Sequence, residues 1–132
     1  MQSGAFVDAG SGHTGIICYT CGGESSSLCQ VGKESLKSAS GGNLVLTDVL
    51  TSGHFAEFID QIKEILDSMN TSKRFLPSLL YVGATGGLRE AIEKEQISST
   101  DVQAFRTALE ATFSNSDSIR VVKLEVLDGL QE

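Results

Sequence analysis

Positive charge is scarce in this sequence, which has 10 lysine and arginine residues against 17 aspartate and glutamate residues and a formal net charge of −7. No segment concentrates the basic residues. Proteins that bind nucleic acid or anionic membranes need many such residues to neutralise phosphates, so neither is expected as a partner. A phosphate ester is not excluded, because backbone N–H groups and a metal ion also supply positive potential.

Long apolar runs are also missing, since none approaches the ~20 residues that a membrane-spanning helix requires. The N-terminal residues 1–4 lack the basic and apolar segments of a signal peptide. The sequence therefore predicts no membrane segment and leaves the compartment unassigned. With 132 residues, 40% of them apolar, the chain can form one domain with a hydrophobic core.

Cysteine is sparse as well, and the three residues are Cys18, Cys21 and Cys29. A structural zinc site needs about four ligands, and no second Cys-x-x-Cys pair accompanies residues 18–21. Within a strand, Cys18 and Cys21 would point to opposite faces, because side chains alternate. We interpret all three as core or surface thiols.

Five short segments have the pattern of β-strands, and glycine-rich turns join the first three of them as antiparallel hairpins. The fourth is a continuous apolar run, which is typical of a strand buried on both faces. The predicted strands are residues 4–8, 14–20, 28–32, 78–82 and 119–126.

Three helices are predicted between the later strands. Apolar residues at three- and four-residue spacing indicate a long helix over residues 55–69, a second helix opens at Leu88, and Thr100 with Gln103 has the spacing of a capping box for a third. Residues 37–53 have no clear pattern and are predicted as a connection. The order β-β-β-α-β-α-α-β predicts an α/β, ribonuclease-H-like domain, with a mixed sheet of about five strands and helices on its faces.

Two glycine-rich loops have the features of phosphate-binding sites. In the first, Ser11, Gly12, His13 and Thr14 combine glycine, which lets backbone N–H groups approach a phosphate, with side-chain donors. Asp8, at the end of the preceding strand, is a candidate to hold a divalent ion directly or through water. The alternative is an ordinary glycine–serine hairpin with an exposed histidine.

The second loop, residues 83–87, follows a buried strand and precedes a helix, which is a favoured position for an anionic ligand. Its candidate phosphate contacts are Thr85 and Gly86. The loop lacks the lysine of a Walker A motif and is therefore not a P-loop. The alternatives are that its glycines only allow a tight turn, and that Arg89 pairs with Glu93 one helical turn later instead of binding phosphate.

Taken together, these segments resemble the nucleoside triphosphate diphosphohydrolase (apyrase) family of the actin-like ATPase superfamily. Residues 6–14, Phe-Val-Asp-Ala-Gly-Ser-Gly-His-Thr, are similar to its Asp-Ala-Gly-Ser-Ser-His-Thr region, with Gly12 in place of the commoner serine. Residues 81–89, Tyr-Val-Gly-Ala-Thr-Gly-Gly-Leu-Arg, resemble its Leu-Gly-Ala-Thr-Ala-Gly-Met-Arg region. Residues 125–132 resemble the start of a third region, which ends in the catalytic glutamate.

The resemblance implies hydrolysis of the terminal phosphate of a nucleoside tri- or diphosphate such as ATP or ADP. Glu132 would be the catalytic base, the two loops would hold the phosphates, and Mg²⁺ or Ca²⁺ near Asp8 would bridge them. The family also needs a second lobe of the same protein. Residues 1–132 are therefore expected to be a single N-terminal lobe, cut before its last helix and inactive alone. Most members of the family are secretory or extracellular.

Two other functions remain open. An exopolyphosphatase lobe of the Ppx/GppA group has a comparable Ala-Thr-x-x-x-Arg stretch and acidic run, although its first loop usually lacks the Ser-Gly-His-Thr ending. A non-catalytic nucleotide-binding or interaction domain is the alternative from a different class of protein.

Overall fold

A computed structural model of the chain describes residues 2–10, 12–21, 28–73, 75–84, 86–114 and 118–126. Five strands form one mixed sheet in the order β3-β2-β1-β4-β5, in which β1 pairs antiparallel with β2 and parallel with β4. The pair β2–β3 is antiparallel and β4–β5 is parallel. The strands are β1 (Gln2–Ala9), β2 (Thr14–Cys21), β3 (Leu28–Ser35), β4 (Leu79–Ala84) and β5 (Val121–Val126). The predicted ribonuclease-H-like mixed sheet is confirmed.

One helix more than predicted is present, so the order is β-β-β-α-α-β-α-α-β. The helices are α1 (Leu46–Ser52), α2 (Ala56–Lys73), α3 (Gly86–Glu93) and α4 (Ser99–Phe113). The additional helix is α1, which lies within the predicted connection and has only 7 residues. It begins after Val45 without a side-chain cap and ends at Gly53, whose φ of 76° is readily adopted by glycine.

The cap of α4 lies two residues before the predicted one. The Ser98 hydroxyl accepts a hydrogen bond from the Asp101 N–H at 3.2 Å, and the Asp101 carboxylate accepts one from the Ser98 N–H at 3.0 Å. This reciprocal pair satisfies two N–H groups that the helix itself cannot. The predicted capping box of Thr100 and Gln103 was wrong. It required glutamate or glutamine as the third residue of the helix, whereas Asp101 has that position here.

The described helices cover one face of the sheet. Strand side chains alternate between faces, and those on the covered face are buried among helix residues, with Phe58, Phe105 and Leu109 fully excluded from solvent. The buried strand residues are Ala5, Val7, Ala9, Thr14, Ile16, Cys18, Leu80, Val82, Ala84 and Leu124. On the opposite face, Phe6 and Tyr81 are only partly buried. The described helices thus pack on the face that holds the core. None of these helices is long and apolar enough to span a membrane.

Cys18 is expected to resist thiol reagents in the folded protein. It is buried in the core, and burial, with a smaller contribution from the negative charge of Glu34, raises the pKa of its thiol from 9.0 to about 11. Because the thiolate is the nucleophile, its fraction at pH 8 falls roughly 100-fold, and the core also excludes the reagent. Iodoacetamide labelling followed by peptide mass spectrometry should show Cys18 modified at least 100-fold more slowly in native than in urea-unfolded protein. Equal rates would contradict the burial of Cys18.

The same shift predicts that stability falls at high pH. The folded state holds the Cys18 proton more tightly than the unfolded state does, so this contribution is complete below pH 9 and is lost as the pH rises towards 11.

Candidate functional site

Three strands end side by side at one edge of the sheet, here called the carboxyl edge. The last residues of β1, β4 and β5 are in register, with Ala9 beside Ala84 and Ala84 beside Val126. Adjacent strands lie about 4.8 Å apart, so the loop after β1 and the start of α3 after β4 are neighbours. In open α/β sheets, ligands bind outside the carboxyl ends of the strands. The two glycine-rich segments singled out in the sequence thus lie at one place.

The first loop is a tight hairpin closed by one backbone hydrogen bond. The N–H of Gly10 donates to the carbonyl of His13 at 3.1 Å. A Cβ at residue 10 would lie only 3.2 Å from that carbonyl oxygen, so a larger residue would crowd the turn. Gly12 and His13 are exposed at the tip, where they can contact a ligand. Ser11 lies outside the described residues.

Thr14 differs from its loop neighbours because its side chain is fully buried, beside Ala9 on the helix-covered face. Within the described part of the chain, its Oγ1 has no hydrogen-bond partner. An unsatisfied buried hydroxyl costs about 1–3 kcal/mol. The packing around Thr14 does not explain why a hydroxyl is placed there. The assignment of Thr14 to phosphate binding stays a prediction, with the side chain placed away from the exposed tip of the loop.

Asp8 is exposed on the face of the sheet that the described helices do not cover, and both of its cross-strand neighbours are glycines. Its neighbours across the strands are Gly15 on β2 and Gly83 on β4, so no adjacent side chain crowds the carboxylate. Mg²⁺ commonly binds through one or two carboxylates together with water and substrate phosphates. Among the described residues, no cluster of three or more histidine, cysteine or acidic side chains could cage a metal by itself. Asp8 therefore fits a divalent ion that is shared with a phosphate ligand.

A second carboxylate, which sequence reasoning treated only as the start of a motif, lies in the same cross-strand row. Glu125 on β5 is beside Gly83, so its Cα and that of Asp8 are separated by two strand spacings, roughly 10 Å. The Tyr81 hydroxyl donates a 2.8 Å hydrogen bond to the Glu125 carboxylate. Burial first, and then this bond and the charge of Glu125, raise the pKa of Tyr81. Strand alternation was the signal that could have placed Glu125 here.

The second loop is shorter than predicted. Gly83 and Ala84 belong to β4 and α3 begins at Gly86, so a single residue joins them. That residue, Thr85, lies outside the described residues. The amino end of α3 is at the carboxyl edge, where the partial positive charge of a helix N-terminus favours an anion.

Arg89 lies on α3 and is partly buried. In the described region it forms no ion pair with Glu93, and the pair on this helix joins Lys94 to Glu90 at 2.6 Å. The alternative interpretation of Arg89 as a partner of Glu93 is therefore not supported. Residues 127–132, which include the predicted catalytic Glu132, lie outside the described residues.

A hairpin at residues 36–44 packs beside the first loop, and the sequence did not reveal it. The N–H of Leu36 donates to the carbonyl of Thr14 at 2.9 Å, and the side-chain amide of Asn43 donates to the carbonyl of Gly12 at 3.4 Å. The ammonium group of Lys37 in turn donates to the side-chain oxygen of Asn43. The side-chain amide of Asn43 thus connects the Lys37 ammonium group to the first loop.

Two solved structures share this fold at low sequence identity. An Aquifex aeolicus PPX-GPPA enzyme is 14% identical, with a TM-score of 0.53 over 95% of this chain and 36% of its own. An exopolyphosphatase-like protein is 16% identical, with a TM-score of 0.52 over 98% of this chain and 33% of its own.

This chain thus spans about a third of the length of these two structures. No protein-family model and no curated protein matches the sequence. The likeness shows the fold alone, and it does not show the apyrase family that the motifs resemble.

Proposed function

We propose that this chain is a phosphate-binding lobe of a two-lobe phosphohydrolase, with inorganic polyphosphate as its substrate. The observation that carries the proposal is the carboxyl edge, where the first loop, the exposed Asp8 and the amino end of α3 lie together. The structures that share the fold, described as PPX-GPPA and exopolyphosphatase-like, support a polyphosphate substrate over a nucleotide.

The residues have distinct roles in this proposal. Ser11, Gly12, His13 and Thr14 hold a phosphate at the first loop. Thr85, Gly86 and Arg89 contact phosphate at the start of α3. Backbone N–H groups at both places stabilise the charge that develops on phosphate oxygens during transfer.

The chemistry at the phosphorus atom has two further requirements. Glu132 takes a proton from the attacking water, which is general-base catalysis by a carboxylate. Asp8 holds Mg²⁺ or Ca²⁺, directly or through water, and the bound ion neutralises phosphate charge. The rest of the substrate contacts a second lobe of the same protein, which is consistent with the greater length of both structural neighbours.

A nucleoside tri- or diphosphate is the second candidate substrate. The observation in its favour is the ending of the first loop, Ser-Gly-His-Thr, which resembles apyrases and is unusual for the Ppx/GppA group. The exposed His13 at the loop tip is part of that ending.

Phosphate release by the two-lobe protein with Mg²⁺ tests the proposal. We expect kcat/KM for polyphosphate to exceed that for ATP and ADP at least tenfold, about 1.4 kcal/mol of preferential transition-state binding. The isolated chain should turn over far below 1 s⁻¹, because half of the site is supplied by the other lobe.

The Glu132→Gln variant of the two-lobe protein is the control and should lose 10²–10⁴-fold in rate, the range typical of a general base. A preference for ATP would favour the apyrase-like alternative. Binding of polyphosphate without any hydrolysis would favour a non-catalytic domain and overturn the enzymatic proposal.

A further inference from the structure

The hairpin at residues 36–44 is hydrogen-bonded both to the first loop and to α2. The N–H of Leu44 donates to the carbonyl of Leu36 at 3.1 Å, which closes its base. From α2, the carboxylate of Glu57 accepts a hydrogen bond from the N–H of Ala39 at 2.8 Å, and the side chain of Gln61 accepts one from the N–H of Lys37 at 3.3 Å. The backbone that carries Lys37 is therefore held in place.

The side chain of Lys37 is exposed yet directed by Asn43. Lysine has three ammonium donors, and in the described structure one of them is used, by the Asn43 side-chain oxygen. The same amide group donates to the Gly12 carbonyl through its nitrogen. Asn43 thus connects the lysine with the tip of the first loop and leaves two ammonium donors for a ligand.

Three other basic side chains in the described region have partners or positions that suit them less to this role. Lys94 pairs with Glu90, and Arg106 donates to the Gln103 side chain and the Leu124 carbonyl. Lys63 lies with Pro77 and Ser118 around a cavity at the opposite edge of the sheet, ahead of β4 and β5. Lys37, in contrast, is connected to the first loop by the hydrogen bonds of Asn43.

We propose that Lys37 is a specificity residue for linear polyphosphate: its ammonium group binds the phosphate adjacent to the one that the first loop holds, and Asn43 positions it. The inference rests on the proposed function and deepens it. Every unit of a polyphosphate chain carries anionic oxygens. A cation next to the first loop can therefore bind a second phosphate unit, which orthophosphate lacks. Charge-assisted hydrogen bonds are roughly twice as strong as neutral ones.

Calorimetric titration of the 132-residue chain with tripolyphosphate and with orthophosphate tests this, in Mg²⁺ at low ionic strength. Lys37→Met should weaken tripolyphosphate binding about tenfold and orthophosphate binding less than threefold. Added salt should reduce the tripolyphosphate effect, because ions screen exposed charges. Asn43→Ala should weaken tripolyphosphate binding by a smaller factor and keep the salt dependence of the wild type, since the positive charge remains.

Lys63→Met is the matched control, because it removes an exposed lysine from the opposite edge, and it should bind both anions like the wild type. Equal losses in the Lys37 and Lys63 variants would overturn the inference, since they would indicate attraction by net charge alone. Unchanged tripolyphosphate binding in Lys37→Met would overturn it while leaving the proposed function intact. If the wild-type chain bound neither anion at concentrations up to about 10 mM, the proposed function would fail together with the inference.

Discussion

Phe105→Ala is expected to lower the free energy of unfolding by about 3–5 kcal/mol, the usual cost of removing a buried phenylalanine. Phe105 on α4 is fully buried, and its ring contacts those of Phe55 and Phe58 edge to face, each with ring centroids 5.7 Å apart. The substitution removes both aromatic contacts and leaves a cavity where α4 meets α2. Domains of this size are stable by only about 5–15 kcal/mol, so a large part of the stability should be lost.

Urea unfolding followed by circular dichroism measures this effect. Phe105→Leu, which keeps most of the volume, should cost less than half as much. Leu76→Ala is the control on an apolar residue that is 56% exposed, and it should change the stability by no more than about 0.5 kcal/mol. A cost below about 1.5 kcal/mol for Phe105→Ala would contradict the aromatic packing between α2 and α4.

Asp8→Asn in the two-lobe protein is expected to lower kcat/KM for phosphate release by about 10²–10³-fold, the usual effect of removing one charge-stabilising group. Asparagine keeps the shape of the side chain and removes the negative charge that would hold a divalent ion. Because Asp8 is exposed between two glycines, the change should leave the unfolding free energy within about 0.5 kcal/mol of the wild-type value. Initial rates measured over a range of Mg²⁺ concentrations would show the loss.

Asp67→Asn is the matched control, since Asp67 is an exposed carboxylate of α2 beside the cavity at the opposite edge. It should leave kcat/KM unchanged. The Asp8 variant should also need a higher Mg²⁺ concentration for half-maximal rate. A fully active Asp8→Asn protein with the wild-type Mg²⁺ dependence would exclude Asp8 as a metal-binding residue.

Much of the fold could be predicted because its strong signals are local. The alternation in β1 and β2, the helical spacing in α2 and the apolar run of β4 each lie within one element. Helix α1 was missed because its 7 residues give only two turns of pattern and no side-chain cap. The coverage of one sheet face by the described helices depends on tertiary packing, which no single segment encodes.

The proximity of the two glycine-rich segments could also be predicted. Parallel pairing of β1 with β4 explains why two loops far apart in sequence meet, and a strand–loop–helix pattern indicates such an edge. The contact of Asn43 with Gly12 was not predictable, because it depends on how the hairpin at residues 36–44 folds back over the first loop. The roles of all the predicted site residues stay predictions, and Ser11, Thr85 and Glu132 lie outside the described residues.

The pairing of β1 with β4 also affects how the protein folds. The hairpins β1–β2 and β2–β3 join neighbouring segments, whereas the register Gly4–Leu79 closes most of the chain into one loop. Long-range parallel pairing is slow because loop-closure entropy is paid before the contacts form. We therefore expect the carboxyl edge to form late in folding. A ligand that contacts both sides of that edge binds only the folded chain and slows global unfolding, instead of stabilising one hairpin.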